Sequence, residues 1–140
     1  VNFPPASEAQ KTAIGDMAQT CQTLAEQRYA IEAGFANRLA QDLCPPQSVP
    51  KLNQKSQAWW LLDFKTLQVE LKKSFKLKAS EVLIPVAERN DWQGYFEQQQ
   101  AQHQALSQQL AAAEAQLNQA VYALFNLTAD EIALIEQQVK

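Results

Sequence analysis

Apolar side chains recur at steps of three and four residues along most of the chain, the spacing that places them on one face of an α-helix. The first repeat comprises Ile14, Met17, Cys21, Leu24, Ile31, Phe35 and Leu39. Ser7 and Gln10 precede it with capping-box spacing, and Cys44-Pro45-Pro46 follows it. The pattern predicts a long helix over residues 7–43 that ends at the prolines.

A second repeat runs through the last third of the chain without a break. Its members are Trp92, Phe96, Gln99, His103, Leu106, Leu110, Ala113, Leu117, Ala120 and Leu124. Steps of four and three sustained over four heptads are typical of a coiled-coil seam. The pattern predicts a helix over residues 91–125, capped by Asn90 or Asp91. We interpret His103 as a partly exposed packing residue of this seam, not as a ligand.

Between the two repeats, prolines and a shorter amphipathic stretch alternate. Pro45, Pro46 and Pro50 make residues 44–57 a linker. Residues 58–75 then place five large apolar side chains on one helical face: Trp60, Phe64, Leu67, Leu71 and Phe75. We predict a helix over residues 58–75 and an irregular stretch over residues 76–90, where Pro85 excludes a central strand.

The end of the chain carries a second helix-start signal. Thr128 and Glu131 have the spacing of a capping box, which predicts a short helix over residues 128–138. Ile132 and Ile135 give that helix an apolar face, and we expect it to fold back as a helical hairpin on the end of the preceding helix and on Leu127.

The two long apolar stripes dictate the predicted architecture, because neither helix can bury its stripe alone. We predict an all-α fold in which two long helices pack as an antiparallel coiled-coil-like pair, with a shorter middle helix and a C-terminal helical hairpin. Residues 1–140 form a single helical domain in this interpretation, which we expect to be cut from the C-terminus of a larger protein. The 21 glutamines are expected to coat the helices.

Composition narrows the compartment and the chemistry. No apolar run approaches the roughly 18 residues of a membrane span, so no membrane partner is predicted. Cys21 and Cys44 fit neither a disulfide framework nor a zinc site, which indicates a reducing cytoplasm. With one histidine and three glycines, the chain offers no catalytic triad, metal-ligand cluster or phosphate-binding loop. We therefore predict no catalytic, cofactor-binding or metal-binding residue.

One acidic pattern imitates an enzyme motif. Asp63, Glu70 and Lys72 reproduce the spacing of metal-dependent nucleases. Nuclease carboxylates must converge on a cation, usually from adjacent strands, whereas these lie on a predicted helix. We interpret both acids as part of a solvated face and retain nuclease activity only as a third hypothesis.

Charge is distributed unevenly along the chain. Residues 51–78 carry seven lysines and two acids, a net charge of +5, whereas residues 90–140 carry a net charge of −5. Lysines that neutralise phosphates give salt-sensitive affinity for nucleic acid. The candidate DNA-backbone contacts are Lys65, Lys72, Lys73, Lys76 and Lys78. A solvated helix face, or pairing with the acidic segment, remains an alternative interpretation of these lysines.

Two stretches resemble a known family. Asn90-Asp91-Trp92 with Tyr95-Phe96, followed by a glutamine-rich helix and the ending VYALFNLTADEIALIE, resembles the C-terminus of adenine-specific DNA methyltransferases. That group includes type IIG restriction–modification enzymes and phage-defence methyltransferases. Phe125 stands where the family has another aromatic residue, and Asn126 where glycine is frequent. The start, Asn2 to Lys11, resembles the helix that follows a target-recognition domain, with one extra residue before Gln10.

The resemblance implies a parent protein that transfers methyl groups from S-adenosylmethionine to adenine in DNA and that also cleaves DNA in some members. It implies that the present chain is a non-catalytic spacer beside upstream catalytic and target-recognition domains, without a cofactor of its own. The alternative function is a coiled-coil module that binds a partner protein or self-associates.

Overall fold

Helices make up most of the chain. The computed structural model describes residues 8–125 and 128–139, without the side chains of residues 138 and 139. The elements are α1 (Glu8–Asp42), α2 (Gln54–Gln57), a 3-10 turn (Trp59–Leu61), α3 (Phe64–Ser74), α4 (Val86–Leu124) and α5 (Ala129–Val139). Because the described residues contain no strand, the predicted all-α class is confirmed.

The chain forms two compact units, one of residues 26–107 and one of residues 1–25 with 108–140. Within residues 26–107, α1 packs against α4, and the two helices are antiparallel. Arg28 meets Ser107, Glu32 meets His103, and the rings of Phe35 and Phe96 are 6.0 Å apart. The predicted antiparallel pairing of the two long helices is confirmed.

The unit of residues 26–107 has a continuous hydrophobic core. Its buried members are Phe35, Leu39, Leu43, Leu52, Trp59, Leu67, Leu71, Phe75, Ile84 and Phe96. At the centre, the Phe35 ring lies 4.5 Å from Trp59 and 5.2 Å from Tyr95, in tilted and edge-to-face arrangements that aromatic rings prefer. This core anchors α3 and therefore fixes the lysines that α3 carries.

In the unit of residues 1–25 and 108–140, fewer of the described apolar side chains are buried. Leu110 and Tyr122 are buried in it, whereas Met17 and Leu24 of α1 are half-buried. The predicted capping box at α5 is confirmed, because Glu131 N–H donates to Thr128 Oγ1 at 3.2 Å and Thr128 N–H donates to Glu131 Oε1 at 3.1 Å. Ser7 of the other predicted box, and Leu127 of the predicted hairpin contact, lie outside the described residues.

The predicted helix over residues 58–75 is wrong in its first part. The chain is extended at Leu62, with φ −106° and ψ 157°, and α3 begins at Phe64. Asp63 caps α3 by accepting a 2.7 Å hydrogen bond from Thr66 N–H. Because this break resets the helical phase, Trp59 and not Trp60 is the fully buried tryptophan.

The segments that flank this region are more regular than predicted. Residues 44–57 contain α2, which is capped by Asn53 through a 2.8 Å bond from Ser56 N–H to Asn53 Oδ1. Helix α4 begins at Val86 and not at Asp91. Pro85 precedes its first turn, and its carbonyl accepts from Glu88 N–H at 2.9 Å. Proline suits the start of a helix, so the residue that argued against a strand marks a helix start instead.

Candidate nucleic-acid interface

Helix α3 presents one apolar face to the core and one polar face outward. Leu67 and Leu71 are buried because they lie one turn apart on the inner face. Lys65 and Lys73 are exposed, and Lys72 is half-buried. The five predicted lysines thus belong to one short helix and to the turn that follows it.

The turn after α3 holds the remaining two lysines at the surface. Lys76 and Lys78 are both exposed. Lys76 has φ 58°, a left-handed conformation that directs the chain away from the helix end. The Lys78 N–H donates to Glu81 Oε1 at 3.1 Å, which orders the turn beyond it. We call Lys65, Lys72, Lys73, Lys76 and Lys78 the lysine face.

The members of the lysine face differ in their partners. Lys73 Nζ is 3.4 Å from Glu70 Oε1, and Lys72 Nζ donates to Ala79 O at 3.3 Å. Lys65, Lys76 and Lys78 form no ion pair with the residues that the structure describes. Three of the five cations are therefore available to an external anion.

Glu70 is the acidic residue beneath this face. Only 5% of it is exposed, so its interpretation as part of a solvated face is wrong. Glu70 Oε2 accepts from Asn53 Nδ2 at 3.0 Å, and the Glu70 carbonyl accepts from Ser74 Oγ at 2.9 Å. Ser74 Oγ also accepts from Asn53 N–H at 3.0 Å and lies 3.2 Å from Ser56 Oγ. These four residues form a polar cluster, the Glu70 cluster, that joins α2 to α3.

The Glu70 cluster keeps its carboxylate ionised. Burial opposes ionisation, but the hydrogen bond from Asn53 and the charges of Lys73 and Lys55 outweigh it and hold the pKa of Glu70 below its ordinary value. Hydrogen bonds from Thr66 likewise lower the pKa of Asp63. Sequence reasoning missed the cluster because Asn53, Ser56 and Ser74 are ordinary capping and turn residues until the fold brings them together.

A pH dependence follows from Glu70. Because its folded pKa is depressed, its contribution to stability is present above the unfolded pKa and is lost as the pH falls through the folded pKa. We expect Glu70→Gln to destabilise the chain at pH 7 and to flatten the decline of its melting temperature between about pH 5 and pH 3. Thermal unfolding at stepped pH measures this, with Glu81→Gln as the control. If the melting temperature fell equally steeply with decreasing pH in both variants, the prediction for Glu70 would be contradicted.

Asp63 and Glu70 have separate structural roles. Asp63 caps α3, and Glu70 holds α2 to α3, so neither carboxylate is directed at a shared cation. No group of three or more His, Cys, Asp or Glu with the proximity to hold a metal occurs among the described residues. The geometry gives the nuclease hypothesis no support.

A second polar constellation lies between α1, α4 and the 3-10 turn. His103 is 6% exposed, so its predicted partly exposed state is wrong. Its Nε2 lies 2.7 Å from Glu32 Oε2, and its ring stacks on Trp60 at 4.5 Å. Gln100 Nε2 donates to the carbonyls of Trp60 and Leu62, both at 2.9 Å.

Through these contacts His103 links α4 to α1 and to the 3-10 turn. The backbone carbonyl of Glu32 also accepts from Trp59 Nε1 at 3.0 Å, so one residue of α1 binds both α4 and the 3-10 turn. Buried polar pairs of this kind specify register in helix pairs. The sequence placed His103 in the seam but gave no signal that Glu32 lies opposite it.

The described residues form an all-helical fold, and the lysine face lies on the unit of residues 26–107. The sequence matches the family described as Domain of unknown function (DUF8810) over residues 7–121, and the chain belongs to that family. No curated protein and no solved structure shows a significant match. None of the helices in the described ranges is both long and apolar enough to cross a membrane.

Proposed function

We propose that the chain is a non-catalytic helical spacer of a DNA adenine methyltransferase or restriction–modification protein, and that its lysine face contacts the DNA backbone. The observation that carries the proposal is the arrangement of the lysine face. Five cations lie within 14 residues on a helix and turn anchored in the core, and Glu70, the acid that pairs with Lys73, is buried. Such a surface attracts phosphates without reading sequence.

The long helices support a positioning role. With 35 and 39 residues, α1 and α4 extend over roughly 50 to 60 Å at 1.5 Å per residue. In the proposed role, helices of this length connect neighbouring domains of the parent protein. The apolar seams of α1 and α4 pack against each other within the chain, which favours the spacer over a coiled coil formed with a partner.

The proposal extends to the surroundings of the chain. The ending from Val121 to Glu136 resembles methyltransferase C-termini, so we place catalytic and target-recognition domains upstream and S-adenosylmethionine in the catalytic domain. The two cysteines are free, which suits a cytoplasmic protein. The chain itself holds no cofactor in this proposal.

The test compares two variants that lose the same charge. Lys65→Gln/Lys76→Gln removes two unpaired cations of the lysine face. Lys11→Gln/Arg38→Gln removes two exposed cations that already pair with Glu8 and Asp42. Binding to a fluorescent 20-base-pair duplex is measured by anisotropy at several salt concentrations. We expect the first variant to reduce the slope of log K against log salt by about 2.

The control variant is expected to bind as the unaltered chain does. A duplex of unrelated sequence should give the same affinity, because phosphate contacts carry no sequence information. If the slope of log K against log salt were the same for the two variants, the proposed contact between the lysine face and DNA would be refuted.

A further inference from the structure

A cavity opens between the turn after α3 and the segment that precedes α2. Its volume is about 520 Å³, and Val49, Phe75 and Leu77 supply its apolar lining. Lys51 and Lys76 stand along the same lining, with Glu81 as its acid. Two lysines against one carboxylate give the lining a net positive charge. The cavity is suited to an apolar group that carries negative charge beside it.

Helix α5 presents a surface with the opposite character. Leu134 is 59% exposed and Ile135 is 38% exposed, although both are large aliphatic residues. Asp130 and Glu131 precede them by four residues each and therefore lie one turn away on the same side of the helix. Two aliphatic side chains and two carboxylates thus share one exposed face, which we call the α5 face.

We propose that the α5 face of one chain docks into the Lys51–Lys76 cavity of a second copy. Leu134 and Ile135 would contact Leu77 and Val49, while Asp130 and Glu131 would lie against the lysines. Complementary charge selects this occupant, since two lysines and one acid line the cavity, whereas the first turn of α5 carries Asp130 and Glu131. Burial of aliphatic surface supplies the affinity, and the charges orient the helix.

Each contact joins different surfaces of the two copies. Two copies that exchange α5 faces reciprocally form a closed dimer, and successive one-way contacts form open chains. The small size of the surfaces predicts a weak, concentration-dependent association. Because Lys76 belongs both to the lysine face and to the cavity lining, the association is measured without DNA.

Sedimentation velocity of the full chain over about 1 µM to 1 mM tests the proposal. We expect a rise in average mass with concentration and a fall in association with added salt. Leu134→Ala/Ile135→Ala should weaken association roughly tenfold, since both side chains are exposed and their loss spares the core. Leu61→Ala, which removes an aliphatic side chain that is 75% exposed elsewhere, is the matched control.

Charge reversal identifies the partner surfaces. Lys51→Glu/Lys76→Glu and Asp130→Lys should each weaken association, and their combination in one chain should recover part of the loss. Circular dichroism confirms that each variant is folded. The proposal is overturned if the unaltered chain is a monomer throughout, if the Leu134/Ile135 variant associates as tightly as the control, or if the combined variant shows no recovery.

Discussion

Replacing Trp59 with alanine is expected to destabilise the chain by about 3 to 5 kcal/mol, the usual cost of removing a large aromatic side chain from a core. Trp59 is fully buried, and its ring lies 4.5 Å from Phe35 and 6.1 Å from Phe96. The substitution also removes the hydrogen bond from Nε1 to the Glu32 carbonyl. Urea unfolding followed by circular dichroism measures the loss.

The neighbouring residues supply the control for this prediction. Leu61 lies two positions away and is 75% exposed, so Leu61→Ala should change stability by less than about 0.5 kcal/mol. Equal losses at Trp59 and Leu61 would show that the 3-10 turn is not seated in the core as described.

The second large effect is expected at the Glu32–His103 pair. Glu32→Ala leaves the buried imidazole without its 2.7 Å partner, and an unsatisfied buried polar group costs about 1 to 3 kcal/mol. A double-mutant cycle with His103→Ala should give a coupling energy of about 1 kcal/mol or more. The readout is again the free energy of unfolding in urea at pH 7.

The surface pair Arg38–Asp42 provides the comparison. Its atoms are 3.3 Å apart, but both side chains are about half exposed, so its coupling should stay below about 0.5 kcal/mol. If the Glu32–His103 cycle gave no larger coupling energy than this pair, the proposed role of His103 in linking α4 to α1 would be refuted.

Local signals predicted the helices where burial pattern and capping agreed. The stripe from Ile14 to Leu39 placed α1 within a residue or two of its described bounds, Glu8–Asp42. The Thr128–Glu131 spacing located α5 because both hydrogen bonds of a capping box lie within four residues. Such features depend on neighbours in sequence, so the sequence alone contains them.

Predictions failed where a local signal had two outcomes. Pro85 excludes a strand and also favours a helix start, and only the second outcome matches α4. Over residues 58–75, the apolar side chains recur at helical spacing without a break, so the pattern did not indicate the helix cap at Asp63. For the same reason it placed Trp60, and not Trp59, on the buried face. Competition between a cap and a continuous helix is decided by packing, which the sequence does not display.

In the candidate site too, local features could be predicted from the sequence and long-range contacts could not. That Lys65 and Lys73 reach the surface follows from their positions opposite Leu67 and Leu71 on α3. The burial of Glu70 and His103 depends on Asn53 and Glu32, which lie 17 and 71 residues away in sequence. Long-range polar pairing of this kind leaves no periodic trace.

The most direct measurement of the central proposal is the mapping of DNA contacts by amide chemical shifts of the ¹⁵N-labelled chain titrated with a short duplex. We expect the shift changes to concentrate at Lys65, Lys72, Lys73, Lys76 and Lys78 and to diminish as salt is added. Amides near Glu32 and His103 should remain unchanged. Shifts confined to other surfaces, or none at low salt, would contradict a DNA-contacting role for this face.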